Sequence, residues 1–220
     1  MSEEMVVRQC APTLAGIKTG SLFPCPCTDR DALLDEVRQL NRRLSPKGLC
    51  LLPIRFKDGQ ALLYLYRPAT LRRDLSDDLA RRLLAQRLGC GEGEVPLCWD
   101  EMGKPTVDAV GVYVSVSHSG PYAVCAIADV PVGVDVEVIR SADEKFMRRV
   151  CSEAEMAYIR VGDDGDCARF WETWTAKEAL FKLTGKGPLL ALSRLALPRD
   201  VVLDHVMQKG CALTTALRLG

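Results

Sequence analysis

The sequence predicts an α+β fold, and three observations predict it. Apolar residues recur at helical spacing in several stretches, among them Leu79, Leu83, Leu84 and Leu88. Elsewhere apolar and polar residues alternate, as in Val112 to Ser117 and Gly133 to Ile139, which marks half-buried strands. Turn residues separate neighbouring strand-like runs closely enough for hairpins, so the sheets should be antiparallel.

The 220 residues suffice for one large domain or two small halves around a sizeable core. Lys plus Arg equals Asp plus Glu, at 29 each and interleaved, so charge gives no reason to expect a nucleic-acid or membrane partner. The first residues carry Glu3, Glu4 and Arg8 instead of a signal peptide, and no apolar run reaches the roughly 20 residues of a membrane span. A cytoplasmic protein is expected. Its ten cysteines are scattered without a C-x-x-C pair, and the histidines are His118 and His205. Reduced, mostly buried thiols are therefore expected, not a zinc site.

Taken in order, Met5 to Leu22 reads as a weak strand, and Pro24 and Pro26 mark a loop. Asp29 to Leu44 reads as a helix with Leu33, Leu34, Val37, Leu40 and Leu44 on one stripe. Leu49 to Phe56 and Gln60 to Tyr66 flank Lys57-Asp58-Gly59, a hairpin with a D-G turn. Ser76 to Leu88 is a helix with Ser76 at its cap. Its other face carries Arg81, Arg82 and Arg87, with Arg72 and Arg73 upstream, and reads either as a solvated basic face or as an anion site. Trp99 to Pro105 is a turn that displays Lys104. At about Thr106 helix-rich sequence gives way to strand-like alternation, which divides the chain into residues 1–106 and 107–220.

In the second part, Val112, Val114 and Val116 take one strand face and Tyr113, Ser115 and Ser117 the other. His118-Ser119-Gly120-Pro121 then turns the chain into a strand over Tyr122 to Ala128. In Gly133 to Ile139 the carboxylates of Asp135 and Glu137 project from one face, about 7 Å apart along the strand. They read either as the solvent-facing side of a sheet or as oxygen ligands converging on a cation such as Mg²⁺. Ser152 and Glu155 stand at capping-box spacing at the start of a helix to Ile159.

Gly165 to Thr184 is expected to be helical, capped by Asp166. Trp171, Trp174 and Phe181 would form its core face, and Gly185, Gly187 and Pro188 would end it. Glu178 and Lys182 are four apart and adjacent, with Lys177 beside them, a spacing that suits a surface ion pair as well as a site. Beyond Gly187 the chain has room for two or three strands, including Val201 to Val206 and Leu213 to Leu219.

Four motifs in this order resemble the Sfp-type 4′-phosphopantetheinyl transferases. They are Gly103-Lys104-Pro105, then Val116-Ser117-His118-Ser119, then Gly133-Val134-Asp135-Val136-Glu137. The fourth is Trp174-Thr175-Ala176-Lys177-Glu178-Ala179 with Lys182, Gly185 and Gly187. Ser152 and Glu155 resemble a further family element, although Cys151 stands where an aromatic residue is usual. The resemblance runs from Ser76 to Gly187, and only 33 residues follow it, so the last sheet is expected to be trimmed.

The resemblance implies two similar α/β halves related by a pseudo-twofold axis, each a small antiparallel sheet packed with helices, with the coenzyme in the cleft between them. It implies a Mg²⁺-dependent transfer of 4′-phosphopantetheine from coenzyme A to a serine of an apo acyl- or peptidyl-carrier protein, releasing adenosine 3′,5′-bisphosphate. Asp135, Glu137 and Glu178 would hold the metal, and Glu178 and Lys182 would be catalytic. Arg81, Lys104, Ser117, His118 and Lys182 would bind the coenzyme. The implied active form is a monomer that meets its carrier transiently, in fatty-acid, polyketide or nonribosomal-peptide synthesis. Two alternatives stay open: a coenzyme-A-binding module without turnover, and another Mg²⁺-dependent phosphotransferase.

Overall fold

The computed structural model describes residues 49–52, 61–66, 75–101, 103–161, 167–185, 197–208 and 210–219. The expected strand over 5–22, the helix over 29–44, the D-G turn, Asp166, Gly187 and Pro188 lie outside these residues. Among them the chain runs β1 (Leu49–Leu52), β2 (Ala61–Tyr66), α1 (Leu75–Leu88), β3 (Leu97–Trp99), β4 (Pro105–Val107), β5 (Tyr113–Ser119), β6 (Tyr122–Ala128) and β7 (Val132–Val138). It continues as α2 (Glu144–Val150), α3 (Glu153–Val161), α4 (Ala168–Thr184), β8 (Val201–Gln208) and β9 (Cys211–Arg218). The fold is α+β, and every pairing among these strands is antiparallel.

One sheet has the order β1-β2-β6-β5 and a second the order β7-β9-β8, while β3 and β4 form a short ribbon. The first sheet takes strands from both sides of residue 106. β1 pairs with β2 from Leu49 opposite Tyr66 to Leu52 opposite Leu63, the register a hairpin requires. β5 and β6 close a tight hairpin in which Ser119 faces Tyr122 and Gly120 adopts φ +51°. That left-handed conformation favours glycine. The helix expected from Ser76 starts one residue earlier, so this serine sits in the first turn and not at the cap.

All seven residues of β6 are buried, where the strand meets α1 and β7. Leu79, Leu83 and Leu84 of α1, Val124 and Ile127 of β6, Val134 and Val136 of β7 and Leu213 of β9 share one core. Each such side chain contributes about 1.5–3 kcal/mol on burial, so the two sheets are joined chiefly by apolar packing.

A second cluster anchors the helices that follow. Phe170, Trp171 and Trp174 of α4 meet Met147 and Val150 of α2 and Ala212 of β9. Phe146 lies edge-on to Phe170 at 5.8 Å and to Trp174 at 5.1 Å between ring centroids. The Trp171 indole N–H donates to the Arg140 carbonyl at 2.6 Å, so burial leaves no unpaired donor. α3 begins with the expected reciprocal cap: Ser152 N–H donates to Glu155 Oε2 at 2.6 Å and Glu155 N–H to Ser152 Oγ at 3.3 Å. α4 ends at Gly185, whose φ of +62° lets its N–H reach the Phe181 carbonyl at 2.8 Å.

Cys90, Cys98, Cys125, Cys151, Cys167 and Cys211 are free thiols, and Cys125, Cys151 and Cys211 are buried. Burial pushes the Cys151 thiol up to about 11, so it stays protonated and behaves as a small apolar group.

Candidate active site

The candidate site lies where α4 crosses β7. Gly133 makes that crossing close, since a Cβ there would fall 2.1 Å from the Ala179 carbonyl oxygen and 2.6 Å from the Leu183 amide nitrogen. Backbone therefore packs on backbone. Glu178 and Lys182, each one residue before those contacts, are set down beside the carboxylates of β7.

Lys182 Nζ donates to Asp135 Oδ1 at 2.8 Å and approaches the Val116 carbonyl at 3.4 Å. Asp135 is only 4% exposed, which removes the solvent-facing reading of this strand. The polar face of β7 meets β5 instead. Ser117 Oγ donates to Asp135 Oδ1 at 2.7 Å, and Ser119 Oγ donates to Glu137 Oε2 at 2.6 Å. Glu178 faces the same negative charge. Its carboxyl is pushed up to about 7, first by burial and then by Asp135, with Glu137 adding a smaller push and Lys182 opposing.

Ser117, His118, Asp135, Glu137 and Lys182 line a polar cleft of about 460 Å³, while Glu178 lies outside that lining. Trp99, Gly103 and Asp77 also line the cleft. Sequence reasoning missed Trp99 and Asp77 there, and it missed Ser119 as the partner of Glu137. The alternation of β5 was the available signal for Ser119, because it repeats Ser115, Ser117 and Ser119 on one face.

Three expected residues are not brought into that lining: Glu178, Arg81 and Lys104. Arg81 is half-buried on α1, and its Nη1 reaches the Val95 carbonyl at 3.4 Å. Neighbouring Arg82 pairs with Glu92 at the surface, at 3.4 Å. Lys104 was expected to be displayed but is half-buried, with Nζ 3.5 Å from the Leu183 carbonyl. The last carbonyls of α4 attract a cation there. Desolvation lowers the Lys104 pKa most, Asp100 opposes it and Arg218 adds to it.

Lys177, which shares α4 with Lys182, points elsewhere. Its ammonium is buried, and Nζ contacts Glu155 at 2.7 Å and the Val150 carbonyl at 2.9 Å. It ties α4 to α2 and α3.

The donor set suits a hard cation, since Asp135, Glu137 and Glu178 offer carboxylate oxygens. Asp135 Oδ2 and Glu178 Oε1 are buried acceptors without a hydrogen bond, and a buried acceptor left so is costly. Among the described residues, however, no three His, Cys, Asp or Glu side chains stand gathered as a metal cage. The residue types fit Mg²⁺, while Asp135 Oδ1 is held by Lys182 and Ser117.

Residues 131–203 match the model of the 4′-phosphopantetheinyl transferase superfamily. Over that segment the chain is similar to the 4′-phosphopantetheinyl transferase superfamily. Asp135, Glu137, Glu178 and Lys182 all fall inside the match. The chain is 32% identical over 120 residues to the 4′-phosphopantetheinyl transferase gsp of Aneurinibacillus migulanus, covering 54% of this chain and 50% of that protein. Against the 4′-phosphopantetheinyl transferase Sfp of Bacillus subtilis (strain 168) it is 28% identical over 138 residues, 62% of this chain and 58% of the other. With the 4′-phosphopantetheinyl transferase psf-1 of Bacillus pumilus it shares 38% identity over 93 residues, 41% and 40% of the two chains. The chain thus spans about half the length of the curated relatives it matches. Residues 6–93 match a different model, described as a protein of unknown function (DUF3793), and Arg81 falls within that segment. Among the described residues no helix is long and apolar enough to cross a membrane.

Proposed function

We propose that this chain transfers the 4′-phosphopantetheine group of coenzyme A to a serine hydroxyl of an apo acyl- or peptidyl-carrier protein, with Mg²⁺, and releases adenosine 3′,5′-bisphosphate. The observation that supports this reading is the meeting of β7 and α4, where Lys182 contacts Asp135 at a polar cleft and Glu178 lies close enough to feel the charge of both. Asp135, Glu137 and Glu178 supply oxygen ligands for Mg²⁺, which when bound offsets the charge on the pyrophosphate.

The chain's own groups then have separate tasks. The carrier serine oxygen attacks the β-phosphorus, and the bond from that phosphorus to the bridging oxygen breaks. Glu178 takes the serine proton, directly or through water, and a carboxyl poised near 7 suits a base at neutral pH. Lys182 stabilises charge on the transferring and leaving phosphates. His118 and Ser117 border the phosphates, with Lys104 and Arg81 assigned to the nucleotide. The division into halves 1–106 and 107–220, their pseudo-twofold relation, a monomeric active form and a cytoplasmic location belong to the same proposal. The carrier is expected to be acidic and helical and to dock transiently.

The test is incubation of the chain with Mg²⁺, coenzyme A and an apo carrier, followed by mass spectrometry of the carrier. A gain of about 340 Da at its serine is expected from this group transfer. Cleavage of coenzyme A without that gain would favour another phosphotransferase or a hydrolase. Binding of coenzyme A with neither change would favour a binding module.

A further inference from the structure

Among the described strands β5 is at the edge of the first sheet and β7 at the edge of the second, yet the two are in contact. Two such edges would leave backbone amides unpaired in a buried seam, at a cost. Serine hydroxyls fill that gap. Val134 N–H donates to Ser115 Oγ at 3.0 Å and Val138 N–H donates to Ser119 Oγ at 3.2 Å. The same face of β5 sends Ser117 to Asp135 and Ser119 to Glu137. A period of two in β5 therefore matches the period of β7, with alternating side chains standing in for a backbone ladder.

Within this seam the three serines differ. Ser115 meets backbone. Ser117 shares Asp135 with the Lys182 ammonium. Ser119 both accepts from the backbone of β7 and donates to a carboxylate of β7, so one oxygen fixes strand and side chain together. It also carries no charge, so it orients Glu137 without offsetting the negative charge a cation would seek.

We infer that Ser119 is a positioning residue for the metal site, holding the Glu137 carboxylate in register with Asp135, while Ser115 serves only the joint between the sheets. This rests on the reading that the β7 carboxylates bind a divalent cation. Outer hydrogen-bond partners of metal ligands typically hold about 10–100-fold in metal affinity.

The experiment measures Mn²⁺ bound to the full chain with coenzyme A present, by electron paramagnetic resonance of the free ion against a coenzyme A blank. Thermal unfolding and the Mg²⁺ dependence of transfer are recorded alongside. Ser119→Ala is expected to weaken Mn²⁺ binding about tenfold or more, with transfer recovering at high Mg²⁺. Ser119→Thr, which keeps the hydroxyl, should restore the affinity. Ser115→Ala should lower the unfolding temperature and leave Mn²⁺ binding unchanged. Parent-like Mn²⁺ affinity in Ser119→Ala overturns the inference and leaves the metal reading standing. Failure of the unsubstituted chain to bind Mn²⁺ above the blank overturns the metal reading and this inference with it.

Discussion

Gly133→Ala is the most direct probe of how the fold builds the site. The added methyl would sit 2.1 Å from the Ala179 carbonyl oxygen and 3.0 Å from Leu183 Cβ. Its nearest neighbours are backbone, so no side chain can swing aside. Since real Cβ contacts are essentially never under 3.0 Å, β7 and α4 must separate by about 0.9 Å. Overpacking of this kind costs about 1–3 kcal/mol, and for a chain of this size about 2–4 °C of unfolding temperature per kcal/mol. The Lys182–Asp135 contact of 2.8 Å would stretch to about 3.7 Å, beyond a hydrogen bond. A misplacement near 1 Å costs about 10²-fold in rate. Circular dichroism melts and carrier-modification kinetics, read separately, test both numbers. A variant whose melting point is lowered but whose kcat stays within about threefold of the parent would refute the claim that this crossing sets the site.

Three further outcomes follow from individual residues. Lys182→Ala should lower kcat by about 10²–10³-fold while the fold persists, measured at saturating coenzyme A and Mg²⁺; an unchanged kcat would remove its electrostatic role. Lys177→Met should instead destabilise the protein by about 2–4 kcal/mol in urea unfolding, because it leaves the buried side of Glu155 and the Val150 carbonyl without their cation. Equal stability of this variant and the parent would contradict that assignment. The pH dependence follows from Glu178, whose folded pKa of about 7 lies above its ordinary value of 4.5. Its protonation favours the folded state, so that stability is present below 4.5 and lost as pH rises through about 7. Metal-free Glu178→Gln should therefore melt higher than the parent at pH 8 and show a flatter melting profile between pH 5 and 8; a profile as steep as the parent's would place the titration elsewhere.

The features legible in the sequence are those whose causes are local. The Ser152–Glu155 cap, the glycine exit of α4 and the β5–β6 turn each depend on residues within a few positions, and each appears as expected. The pair of carboxylates on β7 was legible for the same reason, since alternation alone places Asp135 and Glu137 on one face. What alternation could not convey was which way that face looks. A polar strand face ordinarily meets water. Here a second polar face, that of β5, meets it, because both strands are edges whose amides need partners. Ser117, at 8% exposed, and Asp135 are consequently among the more buried residues of the molecule. Arg81 and Lys104 illustrate the converse. A basic residue on a helix or in a turn has long reach and many acceptors, so spacing gave no guide to the carbonyls of Val95 and Leu183 that they approach.

Lys177 and Lys182 bring the two cases together on one helix. Both are ammonium groups close to Glu178 in sequence, one position before it and four after. Five positions along a helix turn a side chain by about 140° from its starting direction, since each residue advances roughly 100°. That rotation sends Lys177 under α2 and α3, where Glu155 and the end of α2 compensate its charge, a carbonyl 27 residues earlier in the chain among them. It sends Lys182 across Gly133 to Asp135, where one side of the ammonium remains open to the cleft. A buried lysine whose charge is met by a carboxylate and a carbonyl stabilises the fold. One that shares its carboxylate with a serine and borders a polar cleft still has electrostatic reach to spend on a ligand. The difference between scaffold and chemistry in α4 is therefore set by what lies opposite each lysine, and Gly133 is what lets Asp135 lie opposite the second.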